Sequence, residues 1–592
     1  MAEPGTLVNE ALPRRAGESS ASRKLFSLWK SWARRVITLG ENQFFLVIAI
    51  VIGILSGLAV VSFRIAIDRV HSLLSGPTLA PSHLRIVLVP TITGLVVAFL
   101  IIYLFPAARG SGVIHTKAAL YVSDGYIPFS TVIGKFIACA LAIGSGQSLG
   151  PEDPSLQMGA GIASAIGRRL NLSRAKVRLI APVGAAAGLA AAFNAPISSV
   201  LFVIEEVIGT WSAGVLGAIV LAAVSSVVTM RAFLGSESLF PVPPFRISGA
   251  RELLAYAVLG VAGGAASLLF LKWIAYARPR IQSLRRWTEH IQPAVAGLLI
   301  GIIGIWLPQV MGAGYPIVGQ ALNGEFTWKL LLILAAFKIL ATGISFLSGT
   351  PGGLFAPTLF IGAMLGGAVG SIEHHWFPHL TGTVGTFALV GMGTFFAGFL
   401  RTPITSVFMV IEVSGNYTAV LPVMISSLIA YGISRHYQRV PLFDLLARQD
   451  GLMLPSIEEQ REQVSLTVEM AMQYDAAIVV SPHEPIGEAI PRAEVRPGVP
   501  ILMHGPTNQW RILGRDTLRS AATDLGPGTT INEALGNGPL PILFRDQSLE
   551  EALGVMGDWP LLPVVSRADT SHLEGTVTLT DILRTFRDAS AE

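Results

Sequence analysis

Cysteine is almost absent from this 592-residue sequence: Cys139 stands alone, inside an apolar run. A disulfide framework and a cysteine-ligated metal site are both excluded. Charge is scarce as well. Lys, Arg, Asp and Glu together make up 14% of the residues, with a net charge of +4, so nothing points to nucleic acid as a partner. The first 40 residues lack the short apolar core and cleavage site of a signal peptide. What the chain has in quantity is apolar sequence: 52% hydrophobic residues and a mean hydropathy of +0.59. That balance describes a polytopic membrane protein rather than a large soluble enzyme. Its 61 glycines and 36 prolines favour broken helices and close backbone approach.

Apolar segments recur at 44–63, 86–105, 131–147, 181–209, 213–234, 253–277, 293–314, 330–349, 354–373, 386–413 and 418–434. Several have the length of about 20 residues that a bilayer-spanning helix needs. Others are short or interrupted, so hydropathy alone does not count the spans. Arg14, Arg15, Arg23, Lys24, Lys30, Arg34 and Arg35 precede the first segment and place the N-terminus in the cytoplasm. Residues 1–40 are therefore expected to form a cytosolic segment, with an amphipathic surface helix over 24–38. A membrane domain is expected over 41–450. From 451 to 592 charge becomes frequent and apolar runs shrink to strand length, as in Ala477–Val480, Pro541–Phe544 and Leu562–Val565. That stretch is long enough for a soluble domain with its own core.

The membrane region repeats itself. Without a gap, Gly184 to Glu205 aligns with Gly391 to Glu412, and Gly184/Gly391, Ala190/Ala397, Pro196/Pro403, Ser199/Ser406 and Glu205/Glu412 coincide. Upstream of each copy, Pro154, Gly159 and Ala160 match Pro357, Gly362 and Ala363. Two similar halves with paired Gly/Pro interruptions predict a transporter fold with its site between the halves.

Three breaks are placed to aim backbone amides at one point: Gly110-Ser111-Gly112, Gly150-Pro151-Glu152-Asp153-Pro154, and Gly352-Gly353-Leu354-Phe355-Ala356-Pro357. Each puts glycine before an apolar run, as a helix start requires. A helix that starts at membrane depth offers free N–H groups and a positive dipole end. Ser111 adds a hydroxyl donor. Such a set suits a dehydrated anion held without a full positive charge. Glu152 is a carboxylate placed where that anion would bind, in a region that tolerates few charges.

These motifs resemble those of the CLC chloride channels and proton/chloride antiporters, over residues 40–450. The resemblance rests on the three breaks together with Ala191 to Glu206. It implies a polytopic all-α fold of inverted repeats with broken helices, working as a homodimer in a prokaryotic inner membrane with both termini cytoplasmic. It implies chloride and protons as the transported ions, and a transporter rather than an enzyme, with no cofactor required. By the same resemblance Ser111 and Gly112 bind the central anion, Leu354 and Phe355 supply amides, Glu152 is the external gate, Glu206 transfers protons on the inner side, and Lys135 makes the pathway positive. Phe443 takes the place of a tyrosine that closes the inner side. A passive channel of the same fold is the alternative. An intramembrane hydrolase using paired acids is a distant one, for which no nucleophile–base or metal-ligand pattern is present.

The chain departs from the family pattern at four places. Val113-Ile114 follow the first motif instead of Ile-Pro. Pro151 replaces a basic residue and Asp153 replaces a glycine, so the outer entrance should attract anions less. Phe443 keeps the ring but not the hydroxyl donor. Glu205 and Glu206 lie about 100° apart on a helix and cannot share one environment. Glu205 repeats as Glu412 and reads as scaffold, bonding backbone near a helix end. Glu206 faces Val413 in the alignment and is the functional choice. Arg401 reads as an interface or loop charge.

The tail resembles an α+β CBS-domain pair. The copy from Pro541 to Leu583 is the clearer, and a degenerate first copy covers about 464–520. There the resemblance gives Thr578 and Asp581 to a ribose. Adenine nucleotide binding and a purely packing role stay open as alternatives.

Overall fold

The computed structural model describes residues 41–75, 82–170, 172, 174–209, 213–240, 252–377, 382–452, 454, 466–474, 477–505, 509–534, 538–567 and 569–589. The expected cytosolic segment 1–40 and its surface helix over 24–38 lie outside them. The chain divides into two compact units, Met1–Ile457 and Glu458–Glu592, each with cores of its own.

Among the described residues of the first unit, eight helices are long and apolar enough to cross a membrane. The longest, Glu41–Ser75, runs for 35 residues. Shorter pieces lie between them or at the end of the last. Gly112–Tyr121, Tyr315–Leu322 and Leu442–Gln449 hold only 10, 8 and 8 residues. At 1.5 Å per residue none of these can span a bilayer.

The segments 181–209 and 386–413, each one apolar run in sequence, are each two helices. Arg174–Phe193 is followed by Pro196–Phe202, which continues as a π turn over Val203–Ile208. Val384–Leu400 is followed by Pro403–Ser414. The chain turns at Asn194 (φ 57°) and Arg401 (φ 62°), equivalent positions of the repeat and both left-handed. Pro196 and Pro403 bar a helix from running through. Asn adopts the left-handed region at low cost, whereas Arg does so only when held. The buried Arg401 guanidinium supplies the hold, donating to the carbonyls of Arg439 at 3.0 Å and Ser434 at 3.1 Å. Arg401 is thus a structural residue at the end of the Val420–Tyr437 helix.

The same crossing is built twice. Glu152–Arg169 packs on Arg174–Phe193, and Phe355–Trp376 packs on Val384–Leu400. In the first crossing a Cβ on Gly159 would lie 2.1 Å from the Gly184 carbonyl oxygen. In the second, a Cβ on Gly362 would lie 2.3 Å from the carbonyl oxygen of Gly391. With little hydrophobic drive between helices in lipid, backbone approach at small residues supplies the packing. These four glycines are the ones the repeat aligns, so the repeat in sequence is a repeat of helix contact.

The second unit also runs one order of elements twice. Its first half has strand Ile478–Val480, helix Ile486–Val495, strands Ile501–His504 and Trp510–Leu513, then helix Arg515–Leu525. The first strand pairs parallel with the second, and the second antiparallel with the third. Its second half has a bridge at Leu543 to Val564, helix Leu549–Met556, the antiparallel strands Leu562–Val565 and Leu573–Val577, and helix Leu579–Ala589.

Gly159→Ala should lower the melting temperature of the detergent-purified protein, with a cost of about 1–3 kcal/mol for overpacking. Gly432, where a Cβ meets nothing within 4 Å, is the control. Gly432→Ala should leave the temperature within a degree or two of the parent, or raise it through helix propensity.

Candidate functional site

Three helix starts meet in the first unit. Gly150 and Gly353 exchange backbone hydrogen bonds in both directions, each at 2.8 Å. This pins the start of the Glu152 helix to the start of the Phe355 helix. The Glu152 side chain is fully buried. Its carboxylate accepts the Ala356 N–H at 3.3 Å and the hydroxyl of Tyr315. It therefore lies on the first turn of the Phe355 helix, where an anion is favoured. The amide that bonds it belongs to Ala356, one residue beyond the Leu354 and Phe355 pair singled out in sequence. A Cβ on Gly150 would fall 2.3 Å from Glu152 Oε2, so a side chain there would push the carboxylate from its place.

Asp153 turns the other way. Its Oδ2 accepts the Ser111 hydroxyl at 2.9 Å, and its Oδ1 accepts the Val113 N–H at 3.1 Å. Ser111 is the N-cap of the Gly112–Tyr121 helix and also accepts from Val113 N. From sequence Asp153 is a charge at the outer entrance. The structure buries it instead, against the donors of Ser111 and the Gly112 helix.

Lys135 is buried, and its Nζ donates to the carbonyls of Ala108 at 3.0 Å and Gly110 at 2.5 Å. The positive charge thus sits behind the turn that presents Ser111. Lys338 does the same in the other half, donating to Val310 at 3.0 Å and Gly312 at 2.7 Å.

Glu206 lies in a buried ionic cluster absent from the sequence reading. Lys117 Nζ reaches Glu206 Oε1 at 3.2 Å and Asp444 Oδ1 at 2.5 Å, and all three side chains are 6% exposed or less. One ammonium faces two carboxylates, which leaves a formal charge of −1 unless one carboxyl holds a proton. Asp444 Oδ2 is buried with no hydrogen-bond partner among the described residues. Phe443, next to Asp444 on the short Leu442 helix, is buried with its ring 6.5 Å from that of Phe355. Sequence did hold a signal for Lys117, since a lysine in the apolar stretch after Gly112 is costly at membrane depth and needs a partner. Tyr315 and Asp444 carry no comparable mark, because their partners lie 163 and 327 positions away.

Glu205 is scaffold, as its repetition predicts. Its carboxylate accepts Thr405 N–H at 2.8 Å, Thr405 Oγ1 at 2.6 Å and Ile404 N–H at 3.3 Å. Glu412 returns the contact to the other half, accepting Ile197 N–H at 2.9 Å and Ser198 N–H at 2.7 Å. Each glutamate closes the helix start of the opposite repeat.

In the tail, Thr578 and Asp581 form a capping pair at the start of the last helix. Thr578 N–H and Oγ1 donate to Asp581 Oδ2 at 3.1 and 2.5 Å. Gln473 Nε2 and an Arg584 nitrogen donate to Oδ1 at 2.7 and 2.6 Å. Both oxygens are engaged, so a ribose hydroxyl reaching Asp581 would have to displace Gln473 or Arg584. The first half has Gly514 at the cap and Thr517 in place of the aspartate, with no side-chain cap bond.

The geometry defines a membrane protein of two similar halves whose broken helices present their starts to one another across buried carboxylates. The sequence model of the family described as voltage gated chloride channel matches residues 93–435, more than half of the chain, and a CBS domain model matches 527–588. A ClcB-like chloride channel protein of Ralstonia nicotianae is 32% identical over 426 residues, covering 69% of this chain and 99% of that protein. The H(+)/Cl(-) exchange transporter ClcA of Vibrio campbellii is 30% identical over 418 residues, 68% of this chain and 88% of that one. The crystal structure of a slow cyanobacterial Cl−/H+ antiporter shares the fold, with a TM-score of 0.64 at 24% identity over 72% of this chain and all of that chain. The chain belongs to the voltage gated chloride channel (CLC) family.

Lys117→Met should destabilise by about 3–5 kcal/mol, because it leaves two buried carboxylates without their cation. Adding Glu206→Gln and Asp444→Asn should restore most of the loss, which melting of the purified single and triple variants measures. A second expectation concerns the tail. Burial pushes the Asp581 carboxyl up, but the bonds from Thr578 and Gln473 and the Arg584 charge outweigh it and hold it below the usual carboxylate range. Its stabilisation is then present above the unfolded value near 4 and lost as pH falls below it. Asp581→Asn should flatten the acid limb of the tail's unfolding, followed from pH 6 to about 3 by the fluorescence of its tryptophans.

Proposed function

We propose that this chain exchanges chloride for protons across a prokaryotic inner membrane. The observation that carries the proposal is the Glu152 carboxylate on the first turn of the Phe355 helix. A carboxylate held by an amide of a helix start occupies the ground that an anion would take, and it yields that ground when protonated. Chloride then moves past Ser111, Gly112, Leu354 and Phe355, with Lys135 lending positive potential and the Phe443 ring closing the inner side. Glu206 passes protons on the inner side, away from the anion's path. Relatives named as exchange transporters support the same reading.

A passive chloride channel is the second reading. The bond from Lys117 favours it, because a Glu206 oxygen engaged by a buried ammonium at 3.2 Å is not free to hand on a proton at that atom. As in the family resemblance, the unit is a homodimer with both termini cytoplasmic. For the tail, the bonds favour a packing module over an adenine nucleotide site, since the acceptors of Asp581 are already taken.

In proteoliposomes, a chloride gradient should drive protons uphill. Glu206→Gln should stop proton movement while chloride still flows. Glu152→Gln should keep chloride flux, lose its pH dependence and lose coupling. Chloride flux in the wild type with no proton movement would leave the channel reading standing, and no chloride flux at all would reject both.

A further inference from the structure

Donors at the place assigned to the central anion are already in use. The Ser111 hydroxyl and the Val113 N–H, which open the Gly112 helix, are both spent on the two oxygens of Asp153, at 2.9 and 3.1 Å. Asp153 is 1% exposed. Its carboxylate presses on the backbone of Gly112, where a Cβ would lie 2.6 Å from Oδ1. Lys135, anchored on the Ala108 and Gly110 carbonyls, puts a cation behind the same turn. A hydroxyl donor, an amide donor at a helix start and a nearby ammonium make an anion site, and the chain fills it with a residue of its own.

We propose that Asp153 is a tethered competitor of the transported anion at Ser111, and so the residue that sets this chain's apparent anion affinity. The proposal rests on the chloride reading above. Consecutive residues of one helix start then serve two sites. Glu152 covers the start of the Phe355 helix, and Asp153 covers the start of the Gly112 helix. Chloride and the Asp153 carboxylate cannot hold the Ser111 hydroxyl and Val113 amide together. Chloride binds only in the fraction of molecules whose Asp153 has swung away. The apparent affinity falls by that fraction, and the intrinsic affinity of the donors does not change. The same fraction scales every anion that uses these donors, so the competitor sets affinity and leaves the ranking of anions to the donors.

A cap with no competing role would resemble Glu205 and Glu412, and removing it would cost stability without tightening chloride binding. The test separates the two. Chloride binding is measured by calorimetry on the detergent-purified full chain, and half-saturating chloride by flux in proteoliposomes, for the wild type, Asp153→Asn and Asp153→Gly. Both variants should bind chloride more tightly, by about tenfold or more, and Asp153→Gly more than Asp153→Asn, because it removes the tether outright. Should the asparagine variant fail to fold, the glycine variant carries the measurement. Chloride affinity unchanged or weakened in a folded variant that still moves chloride overturns the proposal and leaves Asp153 as a cap. Absence of chloride flux from the wild type and both variants overturns the chloride reading instead.

Discussion

A helix that begins at membrane depth exposes N–H groups that no water can satisfy, and each unmet group costs several kcal/mol. This structure meets that constraint with carboxylates. Asp153 serves the Gly112 helix, Glu152 the Phe355 helix, Glu412 the Pro196 helix and Glu205 the Pro403 helix. Charge-assisted bonds of this kind are the stronger ones. Two of the four are traded symmetrically between the halves and hold them together. The other two come from adjacent residues at a single helix start. The best amide bond of Glu412 is 2.7 Å and that of Glu205 is 2.8 Å, whereas Ala356 reaches Glu152 only at 3.3 Å. Glu152 has in addition the Tyr315 hydroxyl, so its carboxylate is held from a second helix as well.

Much of this was legible in the sequence wherever it was written twice. Glu205 and Glu412, the glycines at 159, 184, 362 and 391, and the breaks before Pro196 and Pro403 all fall at repeated positions. Repetition turns a weak local pattern into a statement about packing. Glu152, Ser111 and Lys135 were legible for another reason: polar groups stand in apolar surroundings only with cause. What escaped was whatever depends on a partner distant in the chain. The Tyr315 hydroxyl on Glu152 and the pairing of Lys117 with Asp444 are products of tertiary assembly, and no local spacing encodes them. The direction of Asp153 escaped too. Adjacent residues at a helix start point apart, and which of them faces outward depends on which neighbouring helix start is nearer.

The tail divides along the same line. Its second half announces itself through Thr578 and Asp581, which close a helix start in water as the glutamates do at membrane depth. Its first half has lost that pair to Gly514 and Thr517 and still runs the same order of strands and helices. Buried apolar positions such as Ile478, Ile501, Leu513 and Leu518 suffice to build it. Fold survives there on core packing alone, after the polar signature has gone.

The two-way bond between Gly150 and Gly353 joins the halves through the main chain at the very place where Glu152 meets the Phe355 helix. With both backbones clasped, a shift of one helix start pulls on the other through the main chain itself. Each such bond is worth about 1 kcal/mol net, so the clasp couples the two starts without locking them. A disturbance at Gly150 in one half is therefore passed to Gly353 in the other without any side chain as intermediary.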